Sequence, residues 1–319
     1  MRLAVFLNPG VDLGLAVGLA RRADTLGYDS VWVTHGSGRD ALLTLSAYAH
    51  AAPRAGLGTG VIPIYPRHPV LLGQEALTLA DISGGRFRLG IGVSHRPSML
   101  SGLGLDMGRP LEAMREYVAV LRAALTGKVQ HVGARYRATW QSGLPRLPAA
   151  PPVLLAGLGP RMLELAGEIA DGAVLWLCTP TYIRTVALPA IRRGRERTGQ
   201  SLDDFEIVAA VPAALTVDPG PALTLFRGEL TRYLALPFYR AMLQQSGFSA
   251  DIASYDRAPS AAAVPDSLAA ALGAIGDFRA ISETVAAYRD AGVTLPAIRP
   301  IAFPDAAHYL PTMEAAIGS

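Results

Sequence analysis

Short apolar runs alternating about eight times with longer amphipathic ones predict an α/β chain wound as a single (β/α)8 TIM barrel. Two further observations support that class. No break in composition divides the 319 residues, and 33 glycines with 24 prolines exceed the usual combined share of about 12%. Such an excess implies many sharp connections between short elements. Half the residues are apolar and 17% are charged, which excludes a disordered or collagen-like chain.

In chain order, Leu3–Leu7 reads as a strand stopped by Asn8-Pro9-Gly10. Leu13, Ala16, Val17, Ala20 and Ala23 then share one helical face, with Arg21, Arg22 and Thr25 opposite. Gly27 closes that helix and Ser30–Thr34 is the second strand. A helix over 40–51, a strand over 57–62 and a helix over 70–82 follow. Ser83-Gly-Gly-Arg86 reads as a tight turn into a strand over 86–92. Pro110 opens a helix over 109–125, in which Leu111, Met114, Val118, Leu121 and Leu125 recur at helical spacing. The remaining strands are expected over 152–156, 173–177, 206–212 and 295–301. The remaining helices are expected over 160–170, 181–198, 219–235, 278–291 and 305–317. The joint at Gly27 recurs at Ala170-Asp-Gly172 and Asp290-Ala-Gly292, where a residue past a helix end is expected at positive φ. The barrel thus accounts for 1–319, with excursions near 94–108, 128–150 and 236–276. Within them Val129–Ala138 suggests a hairpin, and Ala258–Ala274 a loop leading into a short helix.

The formal charge of +3 is too balanced to imply nucleic-acid binding. A single lysine, Lys128, stands among 29 basic residues; that arginine bias reads first as genomic, and it also suits planar anionic groups. The lone Cys178 cannot form an internal disulfide, which fits a reducing cytoplasm. Arg2 and Leu3–Leu7 mimic a signal peptide, but Asn8-Pro9-Gly10 interrupts it and no later run approaches the ~18 apolar residues of a membrane span. A soluble enzyme with neither nucleic-acid nor membrane partners is expected. The histidines show no His-Glu-x-x-His spacing and no Cys-x-x-Cys pair exists, so no dedicated metal site is expected. Neither a Gly-x-Ser-x-Gly elbow nor a Walker loop is present.

Chemistry in such a barrel gathers where strands end and βα loops begin. Those ends carry Asn8, Thr34-His35, Pro63–Pro69, Gly92–Pro97, Gly157–Pro160, Trp176–Thr179 and Arg299-Pro300. A single strand-end histidine is more often structural, but His35 and His95 on one face together point to acid/base work. His68, between prolines, reads as shaping a helix start. Gly157-Leu-Gly159-Pro160 follows an apolar strand and opens a helix, a setting for phosphate on free amides as well as for a plain tight turn. Met162 stands where a dinucleotide fingerprint has its third glycine, so a flavin-type monophosphate fits better than NAD. Trp32, Tyr65 and Trp176 could clasp a planar cofactor.

Three segments carry a family resemblance. Leu57-Gly-Thr-Gly-Val-Ile-Pro-Ile-Tyr-Pro-Arg-His-Pro69, Ser83-Gly-Gly-Arg-Phe87 and Leu89-Gly-Ile-Gly-Val-Ser-His-Arg-Pro97 resemble the bacterial luciferase-like superfamily. Within it they are most similar to oxidoreductases dependent on the deazaflavin coenzyme F420. Leu154–Leu163 and Tyr239–Leu243 extend the similarity over essentially the whole chain. The resemblance implies a bulge with a non-prolyl cis peptide at Gly60–Val61, followed by Ile62, behind the cofactor ring. It implies a phosphate turn at Leu158, Gly159 and Pro160, and cofactor contacts from Asn8, Ser94, His95 and Trp176. His95 stands where relatives carry an acid/base carboxylate, and Thr34-His35 where they usually carry Asp-His. The sugar-phosphate-binding lysines of some relatives have no match in a chain with one lysine.

The implied activity is hydride exchange between the deazaflavin and a small organic substrate (an alcohol or carbonyl, an imine, or an activated alkene). His95, helped by His35, would exchange the proton. Arg96 and Arg161 flank the cofactor loops and suit the coenzyme's polyglutamate tail. An FMN-dependent monooxygenase and a non-catalytic flavin-binding barrel are the competing readings. Family members often pair through barrel helices, which implies a homodimer.

Overall fold

The computed structural model describes residues 2–10, 12–301 and 308–318. Eight parallel strands form the barrel: β1 Ala4–Phe6, β2 Ser30–Val33, β3 Gly56–Thr59 continued by Ile62–Pro63, and β4 Phe87–Gly92. Then come β5 Val153–Ala156, β6 Gly172–Leu175, β7 Glu206–Leu215 and β8 Leu295–Pro300. Ala297 of β8 lies beside Ala4 of β1, and β7 joins β6 to β8, so the ring closes as the alternating pattern predicts. Among the described residues no helix is long and apolar enough to cross a membrane.

The helices begin where short polar caps or prolines allow. Asp12, Asp40 and His68 accept amide hydrogens at the starts of Leu13–Leu26, Ala41–Ala51 and Pro69–Ile82. Pro110 and Pro160 open Pro110–Leu125 and Pro160–Ile169 at the position where a missing N–H costs nothing. The predicted helix over 181–198 is divided into Pro180–Tyr182, a π turn at Ile183–Ala187 and Leu188–Arg197. Pro189 lacks the amide that a continuous α ladder needs there. The last helix is Tyr309–Ile317; the expected start near 305 lies outside the described residues.

Gly27 and Gly292 adopt φ of 86° and 97°, as expected past a helix end. Gly172 does not belong with them, because it lies inside β6 and its φ is not positive. Its missing side chain serves a close approach instead: a Cβ there would lie 2.5 Å from the Glu206 carbonyl oxygen. The hairpin pairs Lys128–Val132 with Arg137–Gln141. The excursion near 236–276 folds into Pro237–Gln245, Ser249–Tyr255 and Asp266–Leu272, then a strand, Ala274–Gly276, beside the projecting end of β7.

The barrel interior has its own small core, in which Ala4, Phe6, Trp32, Leu154, Val174, Val208, Ala210, Leu295 and Ala297 pack together. Alternation along each strand sends these inward, while neighbours such as Val5 and Ile298 face the helices. The filling is lopsided. A Cβ on Gly58 would lie 2.3 Å from the Trp32 ring, and one on Gly60 would lie 2.5 Å from Phe6. The two aromatics of β1 and β2 therefore occupy space that the glycines of β3 vacate.

Below this core, at the N-terminal ends of the strands, four charges form a ring. Arg2 contacts Asp29 at 2.7 Å and Glu206 at 2.5 Å, and Arg88 contacts the same two carboxylates at 3.2 and 3.1 Å. Burial alone would raise the Asp29 carboxyl, but Arg2 and Arg88 outweigh it and hold the carboxyl below its ordinary value. Gly56 makes room for the ring, since a Cβ there would meet Arg88 at 2.6 Å.

Candidate functional site

The other end of the barrel departs from regular backbone in three places. Along β3 and β4 the register is Leu57 to Phe87 and then Ile62 to Ile91, so β3 carries one extra residue. This bulge contains the cis peptide between Gly60 and Val61, at the bond the resemblance implies. Thr59 restores the interrupted ladder with its side chain: the hydroxyl donates to the Gly90 carbonyl at 2.9 Å and accepts from the Gly90 amide at 2.8 Å. Gly90 must lack a side chain, because a Cβ would lie 2.0 Å from the Thr59 carbonyl oxygen. Gly92 likewise admits Val61, whose Cγ2 would be 2.7 Å from an added Cβ.

Ser94 and Leu177 supply the other two departures, with φ of 62° and 49°. They are the non-glycine residues with positive φ among those described, and both follow strand ends, β4 and β6. Such strain persists only where surrounding structure enforces it, and it clusters at functional sites.

The two histidines sit in different neighbourhoods. His35 accepts the Ala41 amide on Nδ1 at 3.3 Å and lies 3.8 Å from Asp40, which Arg67 also binds. Burial and then Arg67 push its pKa below the ordinary value, against the pull of Asp40. His95 packs instead against Tyr233 and Tyr239, with ring centroids 6.3 and 5.9 Å away. Burial lowers its pKa, and no hydrogen bond holds its ring among the described residues. It is therefore neutral near pH 7, with one nitrogen free to accept a proton and the other to donate one. No hydrogen bond or ring contact joins His35 to His95 among the described residues. His68 caps its helix through Nδ1, as its setting between prolines predicts.

Asn8 bridges the first two loops, its Oδ1 accepting from the Thr34 amide at 2.9 Å. Around the turn at Leu158, the Tyr182 hydroxyl donates to the Leu158 carbonyl at 2.6 Å. Gly159 precedes Pro160 at the start of a helix that has no side-chain cap, and an added Cβ would meet only the Phe238 ring, at 3.8 Å. Ile62 is buried in the short continuation of β3. Arg96 is exposed beside the mouth. Arg161 turns outward into a cleft of about 370 Å³, shared with Glu112, Arg115, Glu164, Glu168 and Arg197.

Sequence reasoning placed Trp176 here but missed the residues that hold it. Its indole N–H donates to the Tyr233 hydroxyl at 2.8 Å, Phe6 meets it edge-on at 5.5 Å, and the Arg299 guanidinium lies 5.5 Å from its ring. Arg299 in turn pairs with Glu229 at 2.8 Å. Tyr233 and Glu229 come from Pro219–Leu234, a helix whose sequence shows only amphipathic spacing. Arg299 was visible as the end of a strand, with no signal for its partners.

The first and second excursions also frame the mouth. Tyr65 donates to the Met107 carbonyl at 3.0 Å, and Arg135 of the hairpin lies 4.8 Å from the Tyr65 ring while donating to the Asp106 carbonyl at 2.7 Å. Glu116 seats that hairpin by accepting from the amides of Arg135 and Tyr136. Burial would raise its carboxyl, but those amides and His131 hold it below its usual value. Ser83-Gly-Gly-Arg86 lies at the opposite end, where Gly84 and Gly85 have positive φ and Arg86 donates to the carbonyls of Ala49, Ala52 and Ala55. That motif is structural.

A closed α/β barrel with a bulged third strand, a glycine-lined mouth and an uncapped helix start beside it defines a class of cofactor-binding barrel enzymes. Residues 1–295 match the luciferase-like monooxygenase family, and the chain belongs to it. A putative coenzyme F420-dependent oxidoreductase of Mycobacterium tuberculosis is 28% identical over 91% of this chain and 95% of its own. Among solved structures, the coenzyme F420-dependent tetrahydromethanopterin reductase of Methanopyrus kandleri superposes with a TM-score of 0.82, at 22% identity, over 99% of this chain and 96% of its own. The oxygenating constituent of 3,6-diketocamphane monooxygenase from Pseudomonas putida, in complex with FMN, superposes at 0.74 with 17% identity over 99% and 97%. Both cofactors thus occur on this fold, and the family is one of oxidoreductases.

Proposed function

We propose that the protein is a coenzyme F420-dependent oxidoreductase that exchanges hydride between the deazaflavin and a small alcohol or carbonyl, imine or activated alkene. The observation that carries this reading is the mouth itself. An uncapped helix start at Gly159-Pro160, the bulge at Gly60–Val61 and a neutral, unbonded His95 all follow strand ends on one face of the barrel. The full-length relative named as F420-dependent and the Ser94-His95-Arg96 run favour the deazaflavin over FMN.

The residues present fit such a group. The Arg161 amide, which has no partner among the described residues while those of Met162 and Leu163 donate to the Gly159 carbonyl, suits its phosphate, and the open space at Gly159 admits it. Gly60, Val61 and Ile62 would back the planar ring, and Asn8, Ser94 and Trp176 would hold it. When bound, the deazaflavin supplies two-electron hydride chemistry with little reactivity toward oxygen. His95 accepts or donates the substrate proton, and burial favours the neutral imidazole that can do either. His35, tied to a helix start, holds the second loop in place. Exposed Arg96 would meet the anionic tail, whereas Arg161 shares its cleft with three glutamates.

Titrating the purified protein with F420 and with FMN, followed by fluorescence, tests the reading. Micromolar or tighter F420 binding is expected, weakening as salt is added because the tail contact is exposed. FMN binding without F420 binding overturns it. Leu43 and Leu71, 75% and 55% exposed on successive helices, support pairing of two copies through that face. Light scattering should then give twice the 33.5 kDa chain mass.

A further inference from the structure

Arg299 spends little of its hydrogen-bonding capacity. Along β8 it follows Leu295 and Ala297 on the inward face, so it enters the barrel at the level of Trp176. It is 8% exposed. Of five N–H donors, one is used among the described residues, by Nη2 on Glu229. Nε is sealed from solvent and has no partner there. An orphaned buried donor costs about 1–3 kcal/mol, and each such group calls for an explanation. A brace between β8 and the helix carrying Glu229 explains one edge only. A pair of apolar side chains would brace as well, without desolvating two charges.

We propose that Nη1 of Arg299, which unlike Nε is not sealed and has no partner among the described residues, receives a neutral carbonyl oxygen of a bound molecule at the barrel mouth. Neutrality follows from Glu229: its carboxylate already balances the guanidinium, and a second carboxylate would leave a net negative charge in a buried site. A carbonyl supplies lone pairs without charge. The Trp176 ring, 5.5 Å from the guanidinium carbon and held by Tyr233 through the indole N–H, and Glu229 on Nη2 together hold the guanidinium in place. Two sources share this chemistry, a ketone or aldehyde substrate and a ring carbonyl of the redox group, and the inference rests on the proposed redox reading of the same mouth.

The test compares the wild type with Glu229→Gln and with the double variant Arg299→Met/Glu229→Gln, which removes both charges and so avoids an unpaired buried carboxylate. F420, FMN and cyclohexanone are the probes, with Kd read by fluorescence for the first two and by thermal shift for the ketone. The double variant is expected to weaken one class of probe at least tenfold, while Glu229→Gln, which keeps an acceptor for Nη2, stays within threefold. Weakened F420 or FMN assigns the oxygen to the ring. Unchanged ring affinity with the cyclohexanone shift lost from the loaded protein assigns it to substrate. Retention of every affinity within twofold by the double variant overturns the proposal, as does an equal loss in Glu229→Gln. Should the wild type bind neither F420 nor FMN, the redox reading falls. Cyclohexanone on the unloaded proteins then decides Arg299 alone: a shift lost in the double variant supports it, and a shift retained or absent from all three overturns it.

Discussion

At the closed end of the barrel Arg2 and Arg88 each face two carboxylates, whereas at the open end Arg299 faces one, Glu229; each end keeps one buried guanidinium nitrogen without a hydrogen bond, Arg88 Nη1 and Arg299 Nε. The same contrast runs through the backbone. Ordinary strand geometry surrounds the charge ring, while a bulge and the left-handed Ser94 and Leu177 surround the mouth. A barrel whose chemistry is confined to one end can settle the charges of the other for stability alone.

This contrast can be broken by substitutions that should affect one property and spare the other. The largest effect is expected for His95→Gln, which keeps bulk but cannot relay a proton. Turnover at saturating cofactor should fall about 10²–10⁴-fold in steady-state assays, with the melting temperature little changed. Turnover within threefold of the wild type would remove His95 from the proton path.

Glu206→Ala should do the reverse. It deprives Arg2 and Arg88 of a carboxylate in a partly buried ring, at a cost of about 1–2 kcal/mol in urea unfolding, with kcat unchanged at low temperature. A loss of turnover without a loss of stability would show that the two ends are coupled. Thr59→Val removes both hydroxyl bonds to Gly90 in a fully buried site, and urea unfolding should show about 1–3 kcal/mol lost.

The smallest effect concerns acid. Burial lowers the His95 pKa, so the unfolded chain takes up this proton before the folded one does. Stability is then lost as pH falls below the ordinary value of about 6.5 toward the folded value, by at most about 1.4 kcal/mol per pH unit. Urea midpoints at pH 7.5 and 5.5 should therefore converge in His95→Gln relative to the wild type.

The order of elements was legible because periodicity and punctuation are local. Asp40, His68, Pro110 and Pro160 announce their helices, and Gly27 and Gly292 end theirs. Gly172 shows the limit: the same letter after a helix answers to strand crowding, which no local pattern reveals. The bulge was legible through the family resemblance, which implied the cis bond at Gly60–Val61, and Gly60 and Gly92 there act through what they lack. The cluster of Trp176, Tyr233, Glu229 and Arg299 was not, because it joins residues as far as 123 positions apart. Tyr233 and Glu229 look like any amphipathic helix until the fold turns them inward.

The interlock of Trp32 with Gly58, and of Phe6 with Gly60, also bears on how this barrel can change over generations. Any larger residue at either glycine collides with a ring, and trimming either ring first opens a void beneath the mouth. A lineage that reshapes its floor must cross a less stable sequence or change two strands together. Loops around the mouth face no such obstacle. New substrates should therefore be met by altered excursions over an inherited floor.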